Sequence, residues 1–129
     1  MPNKITLITP PDYYENENLS VLLIGITEDE QTLASQWLGE HPDFPNVNFY
    51  FYQNEQNVPW LLYAVNRSTY TYLNLDMENP VLIYLSSYIL GKPSSFYKTS
   101  NLGLKEIMQH INNQYVPNIE KFLEKVFNG

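Results

Sequence analysis

Asp76 stands immediately after Thr69 to Leu75, a stretch rich in Thr and Tyr that reads as a β-strand. A carboxylate at the carboxyl end of a strand can accept hydrogen bonds from hydroxyl or amide groups of a ligand. With Asn79 it can equally shape the turn and cap the helix that follows. Upstream, Gly25-Ile26-Thr27-Glu28 lies between an apolar run and a helical pattern, where free backbone N–H groups can meet a ligand. The acidic run Glu28-Asp29-Glu30 would repel phosphate there, so a neutral guest suits the turn better. Those three carboxylates could also bind a hard cation. A solvated helix start, favourable to the helix dipole, is the stronger reading of them.

Other chemistry is sparse. His41 sits in a loop beside Pro42, and His110 lies late in an amphipathic pattern. Neither accompanies a nucleophile motif, and G-x-S-x-G is absent. No glycine-rich phosphate loop appears either. Tyr13, Tyr14, Tyr50, Tyr52, Tyr63, Tyr70, Tyr72 and Tyr84 can stack a planar ring or serve an interface, although many must fill the core.

The elements that would carry these groups alternate between strand and helix patterns, which predicts βαβ units and a parallel sheet. Strands are expected at Lys4 to Thr9, Ser20 to Gly25, Val47 to Tyr52, Thr69 to Leu75 and Ser94 to Tyr97. The second is continuously apolar, as a strand covered on both faces should be. Thr27 and Glu30 form a capping-box pair that opens a helix, with Leu33 and Trp37 on one face and Gly39 as its stop. A second helix is expected near Val58 to Asn66, with Pro59 in its first turn. A third runs from Asn79-Pro80 to Leu90 and stops at Gly91; it is apolar on nearly every side, which suits burial or an interface. The chain closes with Leu102 to Asn113 and Pro117 to Phe127, whose buried side is marked by Ile107, Ile111, Ile119, Phe122, Leu123 and Val126.

Composition narrows the function classes. The 129 residues fit a single domain over 1–129. Net charge is −7, and the seven basic residues are scattered, so neither nucleic acid nor an anionic membrane is an expected partner. The absence of Cys excludes disulfides and thiolate metal sites. No apolar stretch approaches the about 18 residues of a membrane span. The opening MPNKITLITPPDYY lacks a signal-peptide pattern. A cytoplasmic location is therefore expected. Abundant Tyr, at 11 residues, and frequent Asn fit an AT-rich genome such as a phage's.

Three stretches together resemble the nucleoside 2-deoxyribosyltransferase family, especially its small phage and bacterial branch. Leu7-Ile-Thr-Pro-Pro with Ser20-Val-Leu-Leu-Ile-Gly-Ile-Thr27 is similar to the family's opening strand, proline loop and apolar strand ending at the sugar site. Val58-Pro-Trp60 through Asp76 is similar to its Trp-led helix and the strand that ends in an acid. Asn79-Pro80 through Gly91-Lys92-Pro93 is similar to its next helix and G-K-P turn. The resemblance covers roughly residues 5 to 97. It implies that a Glu on that last helix should attack C1′ of a deoxyribose, which requires a carboxylate at the anomeric carbon. That position falls near Ile83, or at Leu85 in the other register, and no acid occurs between Glu78 and Glu106. Losing a covalent nucleophile costs several powers of ten in rate.

The expected fold is therefore α/β, with a five-stranded, mainly parallel sheet in a flavodoxin- or Rossmann-like three-layer sandwich. Ligands of such sheets bind at the carboxyl ends of the strands, where the strand order reverses. Gly25, Thr27, Tyr52, Trp60, Asp76 and Tyr84 are the candidate contacts to a nucleoside or nucleotide, with no catalytic residue, metal or cofactor expected. Leu85, Tyr88 and Ile89 are candidates for an interface, in line with the homo-oligomers of the family. A non-catalytic binding protein, for such a ligand or for a protein partner, is the first reading. A working enzyme using Asp76, Glu78 or an acid from a neighbouring subunit is the second. A structural or assembly protein is the third.

Overall fold

The structure, a computed structural model, describes residues 5–7, 19–44, 47–50, 58–76, 92 and 94–128. The segment Asn79 to Leu90, with Ile83, Tyr84, Leu85, Tyr88 and Ile89, lies outside those residues. So do Tyr13, Tyr14 and Tyr52. The described chain is α/β with a parallel sheet, as the alternating patterns predict.

The strands are β1 (Ile5–Leu7), β2 (Leu19–Ile24), β3 (Val47–Tyr50), β4 (Ser68–Asn74) and β5 (Ser95–Lys98), side by side in the order β1-β3-β2-β4-β5. Helices α1 (Glu28–Gly39) and α2 (Val58–Arg67) run between strands, and α3 (Leu102–Ile111) and α4 (Ile119–Asn128) follow β5. Strand β2 is central and carries the apolar run, with Val21, Leu22, Leu23 and Ile24 all fully buried. Its side chains alternate. Val21 and Leu23 pack with Ala34 and Leu38 of α1 and with Phe122, Leu123 and Val126 of α4. Leu22 and Ile24 pack with Trp60, Leu61, Ala64 and Val65 of α2 and with Met108 of α3. Covering both faces explains why β2 lacks the polar alternation of a half-exposed strand.

Local signals set the helix ends. Thr27 Oγ1 accepts from the Glu30 N–H at 3.1 Å, and Glu30 Oε1 accepts from the Thr27 N–H at 3.1 Å, so the capping box forms as its spacing predicts. Asn101 caps α3 by accepting from the Leu104 N–H at 2.9 Å. Asn118 Oδ1 accepts from the Lys121 N–H at 2.9 Å at the start of α4. The outer edge of β5 is closed by residues 114–116, since the Tyr97 N–H donates to the Gln114 carbonyl and the Val116 N–H to the Tyr97 carbonyl. A covered edge cannot template pairing with another chain.

The helix faces differ in part from expectation. Leu33 and Trp37 do share one face of α1, but the helix buries Glu30, Ala34 and Leu38, while Leu33 stays 41% exposed and Trp37 half-buried. Ala34 is small enough to let the helix approach the sheet, and Glu30 finds hydrogen-bond donors there. Likewise α3 buries Met108 and leaves Ile107 51% exposed. The side chains of Ile119, Phe122, Leu123 and Val126 do form the buried side of α4.

Lys92 belongs to the turn expected as a helix stop, yet its ammonium serves a different helix. Lys92 Nζ donates to the carbonyls of Val65 at 2.9 Å, Asn66 at 3.3 Å and Ser68, across the end of α2 and the start of β4. A cation there meets the negative end of the helix and satisfies carbonyls that the helix leaves open. Partial burial lowers the pKa of this ammonium.

Candidate functional site

From β2 the chain crosses by α1 to β3 on one side, then returns by α2 past β2 to β4 on the other. The strand order reverses between β2 and β4, so their carboxyl ends are where a crevice opens in sheets of this kind. Gly25 follows β2 there with φ of 75°, a left-handed conformation that a side chain would strain. It turns the chain into Ile26, which is buried, and Thr27, which is exposed at the cap of α1. Beside it, β4 ends in Asn74, followed by buried Leu75 and exposed Asp76.

A buried carboxylate lies under this junction. Glu30, only 8% exposed, accepts from the Tyr72 hydroxyl at 2.8 Å through Oε2. Its Oε1 accepts from Asn74 Nδ2 at 3.1 Å and from the Thr27 N–H. Asn74 Nδ2 also donates to the Gly25 carbonyl at 3.0 Å, and Asn74 Oδ1 accepts from the Asp76 N–H at 3.1 Å. One side-chain network thus joins the end of β2, the start of α1 and the end of β4. Burial, reinforced by the negative Glu30, pushes the Tyr72 phenol well above its ordinary pKa and keeps it a donor.

Asp76 is tied in as well. Its Oδ1 accepts from the Ser100 N–H at 2.8 Å, the Ser100 hydroxyl at 3.0 Å and the Thr99 hydroxyl at 3.3 Å. The Asp therefore braces the loop from β5 to α3, a turn-shaping role on a different loop from the one its sequence position suggests. With Thr27, Ser100 and Asn101, all exposed, it gives the strand ends a hydroxyl- and amide-rich rim.

The remaining candidates are distributed unevenly. Gly25, Thr27 and Asp76 sit at the strand ends. Trp60 is 4% exposed and packs in the core between α2 and the sheet. Tyr52 and Tyr84 lie outside the described residues. Glu28 and Asp29 are exposed while Glu30 turns inward, so the acidic run splits. Among the described residues no group of three or more His, Cys, Asp or Glu could hold a metal ion. His41 packs against Trp37 and His110 is exposed on α3, on opposite sides of the sheet.

Asn74, Thr99 and Ser100 were not among the sequence candidates, and Glu30 and Tyr72 were singled out only within an acidic run and capping box and among eight tyrosines, not as partners of each other. A signal for part of the set existed: Tyr72 and Asn74 are two apart, hence on one face at the end of a strand, and Glu30 is the third residue of a capping box. Nothing local linked the two. No helix among the described residues is long and apolar enough to cross a membrane. Comparison of the chain with protein-family models, with curated proteins and with solved structures finds no match in any of the three.

Proposed function

We propose that this chain is a non-catalytic ligand-binding domain of Rossmann-like, five-stranded three-layer design, similar to nucleoside 2-deoxyribosyltransferases, that takes a neutral nucleoside at the β2–β4 crevice. The observation that carries this reading is the reversal of strand order at Gly25 and Asp76, with an exposed polar rim of Thr27, Asp76, Ser100 and Asn101. Hydroxyl and amide groups on that rim suit sugar hydroxyls and base edges. The exposed carboxylates of Glu28, Asp29 and Asp76 disfavour a phosphate, which ranks nucleosides above nucleotides. Catalysis is not part of the proposal, because the family's nucleophile position is apolar. Glu30, the carboxylate brought to the strand ends, has both oxygens engaged by donors.

Thermal shift and calorimetry with a panel of nucleosides, deoxynucleosides and their monophosphates test it. A ligand at about 100 times its Kd should add roughly 2.7 kcal/mol of stability. Asp76→Asn keeps an acceptor for Ser100 and should weaken nucleoside binding at least tenfold with little change in melting temperature. No shift with any member of the panel would overturn the binding reading. Base exchange or hydrolysis that vanishes in Glu30→Gln would overturn the non-catalytic part alone.

A further inference from the structure

A cleft of about 140 Å³ lies between α1 and the start of α4, lined by Leu33, Gln36, Trp37, Glu40 and Glu120. Two of its lining side chains are apolar, Leu33, which is 41% exposed, and Trp37, which is half-buried. The indole is braced from behind. The His41 ring stacks on it at 3.7 Å with planes 12° apart, and the His41 Nδ1 lies 2.8 Å from the Trp37 carbonyl oxygen. Phe44 and Phe127 meet the indole edge-on at 5.2 and 5.8 Å. His41, one turn beyond Trp37, is not part of the cleft lining.

Two of the other lining side chains are acidic, and Gln36 is neutral and polar. Glu40 and Glu120 come from two different helices, and both are exposed. No basic residue lines the cleft, and none occurs from Glu28 to Glu40. The nearby ion pair, Lys121 with Glu124 at 3.3 Å, keeps that ammonium on Glu124 and leaves the two wall carboxylates without an ion pair among the described residues. An indole and a leucine that line one cleft with two carboxylates are complementary to a cation on an alkyl stem. A carboxylate guest would be repelled, and an uncharged guest would make no use of the two acids. The volume fits one side chain.

We infer that this cleft receives a lysine or arginine side chain from a basic segment of a partner protein. The stem lies on Leu33 and Trp37, and the cationic head reaches Glu40 and Glu120. This surface is separate from the strand-end rim, so the inference stands independently of the nucleoside proposal. The chain's net charge of −7 adds long-range attraction for such a partner.

The test is titration of the purified protein with a capped peptide of alternating Arg and Gly, followed by NMR of the Trp37 indole N–H and the amides of residues 33–40 and 120. The same peptide with citrulline in place of Arg is the neutral control. Saturable shifts confined to the cleft are expected for the Arg peptide. Affinity should fall at least tenfold in Glu40→Gln/Glu120→Gln and at least fivefold between about 50 and 300 mM salt. Both glutamates are exposed, so the double variant should melt within about 2 °C of wild type. Trp37→Leu should weaken binding even with both acids present. Shifts spread over other acidic surface, equal binding of the citrulline peptide, an unaffected double variant, or no shift at millimolar peptide would each overturn the inference.

Discussion

Removing the Tyr72 hydroxyl isolates the network at the strand ends. Tyr72→Phe keeps the ring that packs on Phe122 at 5.2 Å and deletes only the donor to Glu30 Oε2. A hydrogen bond to a charged group contributes about 1.5–3 kcal/mol, and the buried carboxylate oxygen left behind has no other described donor. A cost of about 2 kcal/mol follows. For 129 residues the entropy of unfolding converts 1 kcal/mol to roughly 4 °C, so the melting temperature should fall by about 8 °C. Glu30→Gln keeps the shape and removes the charge, and the double variant should show a coupling of about 1 kcal/mol or more. Alkaline pH supplies a second readout. The Tyr72 phenol is raised in the folded state above its ordinary value of 10.0, so the folded protein holds that proton more tightly than the unfolded chain does. Its contribution is complete below pH 10.0 and is lost above it, at about 1.4 kcal/mol per pH unit. Urea unfolding from pH 7 to 11 measures it. The stability gap between wild type and Tyr72→Phe should be constant to about pH 10 and then shrink. A cost under about 0.5 kcal/mol, additive variants, or a gap that stays flat to pH 11 would refute the network as a structural unit.

Lys92→Met keeps the alkyl stem but removes the donor to the Val65, Asn66 and Ser68 carbonyls, and should cost about 1–2 kcal/mol in chemical denaturation, with faster amide exchange at the end of α2. On α3, Met108→Ala should cost about 2–5 kcal/mol by emptying a fully buried site, whereas Ile107→Ala should change stability by less than about 1 kcal/mol; comparable losses would mean that the helix sits in another rotation.

Much of the framework was legible in the chain because it rests on short-range physics. The continuous apolar run at β2 demands cover on both faces, and the capping box needs only residues three apart. The apolar positions of α4 recur at helical spacing and point one way, so its buried side could be read directly. Alternation of strand and helix was enough for an α/β parallel sheet.

Rotation of α1 was not legible, because apolar size alone favours Leu33 and Trp37 over Ala34 and a glutamate. Beyond the local Thr27 N–H, the donors that make burial of Glu30 favourable are the hydroxyl of Tyr72 and the amide of Asn74, more than forty residues away. Similarly, Asp76 could be placed at a strand end from its own surroundings, but its partners Thr99 and Ser100 arrive with β5. Lys92 reads as a turn residue until α2 and β4 bring three carbonyls to it. What the sequence determined by itself is which segments become strands and helices and where several of them begin, since those choices are made by neighbours along the chain. What only tertiary structure decided is strand order, helix rotation and the joining of distant polar groups, since each depends on contacts whose partners local patterns do not name.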